Sequence, residues 1–325
     1  MSPWRRFARG LSTRQNLPIL LAATLLAVAV WLPPITLQRS TYQYLVTFDV
    51  TQSMEVDDQT LAGAAVSRLA FARAAAREAL RRMPCGSKVG WAIFADYRVM
   101  PLVLPIEVCE NYDALLASLD RIDGRMRWAN ASNIGKGVTW AVRSARAIGK
   151  ETRVVFFTDG QESPPLRSKD VTPPMGDITP GDVGGWLIGV GGDLPARIPR
   201  FDGDGNPVGV WNAADVVQRF GPGTPGTAHE HLSELREPHL QALGKLLGLG
   251  YRRLATTDVA AEAMLDPALA QPRPIGTDLR WVPALLGLGL LALRFVPDLA
   301  LARNWRRGGR TGASAGVAHR REYGP

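Results

Sequence analysis

Cysteine and histidine are scarce in this sequence, and other absences narrow its function further. Two Cys and four His in 325 residues suggest no Ser-His-Asp or Cys-His catalytic set. The glycine-rich stretch 221–227 lacks the Lys of a phosphate-binding P-loop. The 24 Pro and 33 Gly show no triplet period, which excludes a collagen-like chain, and 46% hydrophobic residues exclude disorder throughout.

A calcium loop of the EF-hand type is also missing, although Asp-Gly-Asp-Gly-Asn at 202–206 suggests one. The glycine of that motif is not in the sixth position, and Ala213 occupies the place of the bidentate Glu. Because Asp-Gly and Gly-Asn are turn-forming pairs, we predict a tight turn between Ile198 and Val210 instead.

Positive charge is in excess only at the two ends of the chain. Residues 1–16 carry four Arg and no acid, and residues 298–325 carry six Arg against two acids. Each end therefore has a net charge of +4, which accounts for the whole formal charge of +8. The remainder is neutral, so we expect no nucleic-acid partner.

Each basic end adjoins an apolar run, and this predicts a membrane protein. We predict transmembrane helices at 17–35 and 279–297, the second with Arg294 reaching toward the lipid headgroups. Because Arg-rich segments stay in the cytoplasm, the tails 1–16 and 298–325 should be cytoplasmic. The intervening residues would then lie in the periplasm, at the inner membrane of a bacterium.

Two alternatives to this topology stay open. The first run has features of a cleaved signal peptide, with Ala27-Val28-Ala29 as a cleavage site. The second run is interrupted by Arg294, and it is also compatible with a buried or surface-lying helix.

The two cysteines agree with an oxidising compartment. Strands predicted at 89–94 and 99–104 form an antiparallel hairpin centred on Tyr97, and Cys85 and Cys109 are equally distant from that turn. We therefore predict a Cys85–Cys109 disulfide at the open end of the hairpin. The alternative is two unrelated buried thiols.

Strands and helices alternate along residues 43–258, which we predict to form one domain. The pattern favours an α/β fold with a doubly wound, mostly parallel six-stranded sheet and one antiparallel edge strand. Residues 163–235 form a Pro- and Gly-rich loop region with one clear strand, and we expect it to shape partner choice or to be a mobile decoration. A linker at 259–278 would follow.

Polar side chains cluster where the predicted strands end. Asp49, Thr51 and Ser53 follow the first strand, Ser132 precedes a helix, and Asp159 follows a later strand. Ligands of doubly wound sheets bind beyond the carboxyl ends of the strands. Two carboxylates and three hydroxyls form an all-oxygen set that suits a hard cation such as Mg²⁺. The alternative is a set of ordinary Asp- and Ser-capped turns.

The three loops resemble the metal-ion-dependent adhesion site (MIDAS) of the von Willebrand factor A (vWA) fold. The family usually has Ser where this chain has Thr51 and Thr where it has Ser132, and both changes keep the oxygen ligand. The resemblance implies that Thr51, Ser53 and Ser132 bind Mg²⁺, or Mn²⁺ or Ca²⁺, while Asp49 and Asp159 balance its charge. It also implies a partner protein whose Asp or Glu side chain completes the coordination.

This is a binding role, and we do not expect an enzyme. A phosphatase of the haloacid dehalogenase type would need a carboxylate at position 51, which is Thr. A hydrolase that uses the metal ion as a Lewis acid is a further alternative, but no general base for it is evident in the sequence.

A narrower resemblance concerns proteins with two membrane segments around a vWA domain. That topology is typical of the batA/batB-like group, and several segments are similar to the MxaL-type proteins of methanol-oxidation gene clusters: 49–54, 67–71, 84–88, 108–112 and 158–165. This implies a periplasmic accessory factor that matures methanol dehydrogenase. The alternative is a scaffold in an envelope-stress or aerotolerance complex.

Overall fold

The computed structural model describes residues 17–166, 176–218 and 229–293. The chain divides into two units, one formed by residues 38–273 and the other by the terminal segments 1–37 and 274–325. The predicted basic tails 1–16 and 298–325, and residues 294–297 of the second predicted membrane segment, lie outside the described residues.

The described residues form fourteen strands and seven α-helices. The strands are β1 Ile35–Thr41, β2 Gln43–Asp49, β3 Gln59–Leu61, β4 Ala64–Val66, β5 Lys88–Ala95, β6 Arg98–Glu107, β7 Arg153–Thr158, β8 Gly185–Gly189, β9 Ala196–Arg197, β10 Pro199–Phe201, β11 Pro207–Val210, β12 Leu232–Ser233, β13 Gly250–Arg253 and β14 Gln271–Thr277. The helices are α1 Leu17–Trp31, α2 Arg68–Arg82, α3 Tyr112–Asp120, α4 Ile134–Ile148, α5 Glu237–Leu247, α6 Asp258–Met264 and α7 at 281–293. Short 3₁₀ helices occur at Gln52–Glu55, Gly124–Met126 and Pro267–Leu269.

The larger unit contains a six-stranded sheet in the order β13-β8-β7-β2-β5-β6. Five strands are parallel, and β6 pairs antiparallel with β5 at one edge. The chain order therefore reverses between β2 and β7, as in other doubly wound sheets. The predicted mostly parallel sheet with one antiparallel edge strand is confirmed.

Helices cover both faces of this sheet. Side chains alternate along β2, so Tyr44, Val46 and Phe48 pack with α2 and α6 on one face. Leu45 points to the other face and packs with α4 and α5. Because both faces are buried, the strand is almost continuously apolar.

The β5–β6 hairpin turns at Asp96 and Tyr97, with Ala95 opposite Arg98. At its open end Lys88 pairs with Glu107, and Cys85 and Cys109 form a disulfide with their Cα atoms 5.3 Å apart. The predicted Cys85–Cys109 bridge is thus present.

The region 163–235 contains more regular structure than the sequence indicated. Besides β8 it forms the antiparallel hairpin β10–β11, whose turn at 202–206 lies within the predicted interval. It also forms the short antiparallel pair β9–β12. Strands of two to four residues are too short for a recognisable alternation of apolar and polar residues, and this explains why the sequence did not reveal them.

The segments flanking the large domain also differ from the expectation. Helix α1 ends at Trp31, because Pro33 and Pro34 cannot continue it, and β1 begins at Ile35, within the segment predicted to be helical to 35. Residues 259–278, predicted to be a linker, contain most of α6 and all of β14, and β14 pairs with β1. In the described part of the chain, no helix combines the length and apolarity needed to cross a membrane.

Candidate metal and ligand site

The candidate site lies where the chain order of the sheet reverses. Strands β2 and β7 are parallel neighbours, with Phe48 opposite Phe157, so Asp49 and Asp159 leave the sheet side by side. Ser132 joins them from the loop before α4, through a β-bridge to Asp96 beyond β5. The five residues predicted from the sequence are all buried.

The loop after β2 is organised around the carboxylate of Asp49. One of its oxygens accepts hydrogen bonds from the Thr51 amide at 2.9 Å and from the Thr51 hydroxyl at 2.6 Å. The other accepts from the Thr158 hydroxyl at 2.7 Å. Thr51 Oγ1 lies 3.2 Å from Ser53 Oγ. Three oxygen-bearing side chains of this loop therefore converge at the end of β2.

The carboxylate of Asp159 is held by residues from two distant segments. Its Oδ2 accepts from the Arg68 guanidinium at 2.7 Å and from the Ser233 hydroxyl at 2.8 Å, while Oδ1 accepts from the Gln161 amide at 3.0 Å. Arg68 opens α2, and Ser233 belongs to β12 in the Pro- and Gly-rich region. The site is thus connected to both.

Arg68 is fully buried and bridges Asp159 to Asp58. Its guanidinium makes an ion pair with each carboxylate, at 2.7 and 2.6 Å. Burial lowers the pKa of Arg68, but both carboxylates outweigh it and raise the pKa above its ordinary value. Burial likewise raises the pKa of Asp58, but the bonds and charge of Arg68 outweigh it and the pKa is lowered. Arg68 therefore offsets part of the negative charge at the site.

Ser132 lies in the third loop of the site, directly before α4. Its backbone exchanges two hydrogen bonds of 2.7 Å with Ser163, which ties its loop to the segment after Asp159. The following helix is capped by Asn133, and the Glu162 carboxylate accepts from its Ile134 and Gly135 amides. The side chain of Ser132 differs from those of the other four predicted ligands, because its Oγ is buried and no described residue forms a hydrogen bond with it.

These features fit a hard divalent cation. A buried, unpartnered hydroxyl is costly unless a ligand satisfies it, and Ser132 Oγ shares a cavity with Thr51 and Ser53. Burial and the neighbouring Asp159 raise the pKa of Asp49 to about 7, and a bound cation would oppose this shift. No cluster of three His, Cys, Asp or Glu suited to a metal occurs among the described residues. Such a cluster would not include the present site, because three of its five predicted ligands are the hydroxyls of Thr51, Ser53 and Ser132.

Sequence analysis missed the residues that position the two carboxylates. Thr158 immediately precedes Asp159, and a strand-end hydroxyl could have been proposed as a partner of Asp49. Arg68 lies in a segment noted only for its family resemblance. Ser233 is separated from Asp159 by 74 residues, and nothing in the sequence indicates their contact.

Comparison with other proteins gives weak similarities. No protein-family model matches the sequence, and neither does any curated protein. The chain is 17% identical to an aerotolerance-related membrane protein from Bacteroides fragilis, with a TM-score of 0.46 over 69% of this chain and 96% of that one. It is 11% identical to a von Willebrand factor type A protein from Catenulispora acidiphila, with a TM-score of 0.35 over 76% and 43% of the respective chains. Similarities at this level do not bear on function.

Proposed function

We propose that the chain is a membrane-anchored, periplasmic vWA-type module that grips an acidic side chain of a partner protein through a divalent cation. Asp49, Thr51, Ser53, Ser132 and Asp159 would hold the cation. The observation that carries this proposal is the buried Ser132 hydroxyl, which has no hydrogen-bond partner among the described residues and lies in a cavity lined by two further hydroxyl-bearing residues.

Charge favours the binding of a carboxylate. The two acids at the site carry two negative charges, and the Arg68 guanidinium offsets part of this charge. Because Arg68 also pairs with Asp58, these three carboxylates and one guanidinium carry a charge of −2, which a divalent cation would neutralise. A cation held mainly by hydroxyls would still attract the carboxylate of a partner's Asp or Glu directly. Mg²⁺ suits such a site because it prefers oxygen ligands and an octahedral geometry, in which a partner's carboxylate can take one position.

Attachment to a membrane is supported by the terminal unit. Its helices α1 and α7 expose large apolar side chains, among them Leu17, Leu21, Leu285 and Leu286, each at least 48% exposed. Such apolar surface indicates contact with lipid or protein. The adjoining segments 1–16 and 298–325 supply the Arg residues that would hold both ends in the cytoplasm.

Two biological settings fit this module. Maturation of methanol dehydrogenase rests on the sequence motifs alone. A scaffold of an envelope-stress complex is the second candidate, and it needs no motif beyond the domain and the exposed apolar helices, which offer surface for assembly in the membrane.

Cation-dependent capture tests the proposal. The full-length protein would be titrated with Mg²⁺ by calorimetry and used to capture periplasmic proteins with and without EDTA, with identification by mass spectrometry. In the double variant Asp49→Ala/Ser53→Ala we expect both Mg²⁺ binding and EDTA-sensitive capture to be lost. The matched control is Asp120→Ala/Ser118→Ala on α3, which should retain both. Capture that is unchanged in EDTA would contradict the proposal.

A further inference from the structure

A recess of about 290 Å³ opens beside the candidate cation site. Its lining includes the hydroxyl-bearing residues Thr51, Ser53 and Ser132 and an apolar wall made of five residues: Pro164, Ile198, Trp211, Val216 and Val217. All members of this wall except Pro164 lie in the segment 198–217, which contains the hairpin β10–β11. The cation ligands and the apolar wall therefore face the same space.

Trp211 is fixed in the wall by contacts on several sides. Its indole N–H donates to Gln52 Oε1 at 2.8 Å, and Gln52 donates in turn to Asn130 Oδ1 at 2.7 Å. The Arg200 guanidinium lies 4.8 Å from its ring centroid. Because Gln52 lies between Thr51 and Ser53, the tryptophan is positioned by the loop that would hold the cation. The wall is preorganised, which lowers the entropic cost of binding.

A second unpartnered polar atom points to a peptide as the ligand. Gln161 is 4% exposed, and its amide nitrogen donates to the carbonyls of Glu230 and Leu232. Its Oε1 is buried and has no hydrogen-bond partner within the described part of the chain, although the residue lines the recess. A carbonyl oxygen left in this way accepts an N–H, and a backbone amide of a bound segment supplies one.

Two acidic residues also line the recess. The carboxylates of Asp215 and Glu230 also line it, so a second acidic side chain would be repelled there. The volume lies at the lower limit for small-molecule pockets, which suits one large side chain better than a cofactor. Beside the carboxylate that would bind the cation, the lining thus favours an apolar side chain over a second acidic one.

We propose that the recess binds a protein segment in which a large apolar side chain adjoins the acidic residue. The carboxylate would bind the cation, the apolar side chain would pack on Trp211, and Gln161 Oε1 would accept a backbone N–H of the segment. This inference rests on the proposed function and adds the sequence preference of the partner.

Short labelled peptides test the preference. Anisotropy titrations with full-length protein and Mg²⁺ would use two leucine peptides, Gly-Gly-Leu-Glu-Gly-Gly and Gly-Gly-Glu-Leu-Gly-Gly. The controls are the all-glycine context Gly-Gly-Gly-Glu-Gly-Gly and the peptide Gly-Gly-Leu-Gln-Gly-Gly, in which Gln replaces Glu. Burial of a leucine side chain should strengthen binding about tenfold or more over the all-glycine context. The Leu-Gln peptide should lose binding, as should every peptide in EDTA.

Variants assign the preference to the recess. Trp211→Ala and the milder Val217→Ser should each lower the ratio of the affinities for the leucine and all-glycine peptides in Mg²⁺. Trp128→Ala, which removes an exposed tryptophan outside the recess, should leave this ratio unchanged. Equal affinity for the leucine and glycine peptides would overturn this inference and leave the proposed function intact. Absence of Mg²⁺-dependent binding to any Glu peptide would overturn both.

Discussion

Arg68 shows how a single buried residue organises the site. Its guanidinium joins the start of α2 to Asp58, Asp159 and Ser233, which belong to three other segments. A buried charge is stable only while its partners are present, so the free energy of the site is distributed over all these segments.

Replacement of Arg68 by Met should therefore destabilise the protein strongly. The Arg68→Met variant leaves two carboxylates without their cationic partner, one of them fully buried, and we expect a loss of about 3–5 kcal/mol in the free energy of unfolding. Urea denaturation measures this loss. The control Arg77→Met lies on the same helix, where its pairing with Asp120 is exposed, and should cost about 1 kcal/mol or less. Similar losses in both variants would contradict the role given to Arg68.

Thr158 should tune the affinity for the cation through Asp49. Its hydroxyl donates to Asp49 Oδ2 and accepts from the Gly160 amide, so it fixes the carboxylate without facing the cavity. Loss of such an outer partner typically weakens metal binding by about 10- to 100-fold. We expect Thr158→Val to raise the Kd for Mg²⁺ within this range, as measured by calorimetry.

A buried threonine on α4 provides the control for this measurement. Thr139→Val removes a hydroxyl that donates to the carbonyl of Gly135, away from the proposed cation ligands. Its Kd for Mg²⁺ should stay at the wild-type value. If both variants bind equally well, Asp49 does not depend on Thr158.

The residues predicted from the sequence and those that were missed differ in sequence separation. Asp49, Thr51, Ser53 and Asp159 follow buried strands directly, so a local pattern was enough to predict that they meet. Ser233 reaches Asp159 from a two-residue strand inside a proline-rich region, and local patterns contain no information about such a contact. The wall around Trp211 was missed for the same reason.

At the scale of elements, the central sheet was predictable from the sequence, but the short strand pairs β9–β12 and β10–β11 were not. Strands β2 and β7 are apolar runs with helices between them, and α4 begins at Ile134, directly after the Ser132 loop that was predicted to precede a helix. The first predicted helix extends to residue 35, whereas α1 ends at Trp31. Pro33 and Pro34 mark this earlier end in the sequence. Apolar composition continues into β1, and it outweighed the proline signal in the prediction.

The Cys85–Cys109 disulfide should stabilise the hairpin and with it the edge of the sheet. A bridge across a separation of 24 residues is worth about 2–4 kcal/mol, mainly by restricting the unfolded chain. We expect Cys85→Ser/Cys109→Ser to lower the free energy of unfolding by this amount in urea. Reduction with dithiothreitol should destabilise the wild type similarly and leave the double variant unchanged. A dithiothreitol effect of equal size in both would show that it arises elsewhere.

At the scale of the whole molecule, positive charge should determine the orientation in the membrane. The excess of +8 is divided equally between the two ends, beside the apolar helices α1 and α7. Each Arg held near the cytoplasmic surface favours retention there, so both ends should stay inside. We expect a periplasm-dependent phosphatase reporter to be active when fused after residue 258 and inactive when fused after residue 325.

Neutralising the first tail should disturb this orientation. The variant with Arg5, Arg6, Arg9 and Arg14 changed to Gln removes the bias next to α1, and we expect lower reporter activity after residue 258. The control changes the same number of arginines to Gln within the large domain, at positions 77, 81, 125 and 146. It lowers the net charge equally but leaves the flanks intact, so activity should persist. Equal losses in both variants would mean that total charge, and not its position beside α1, determines the orientation.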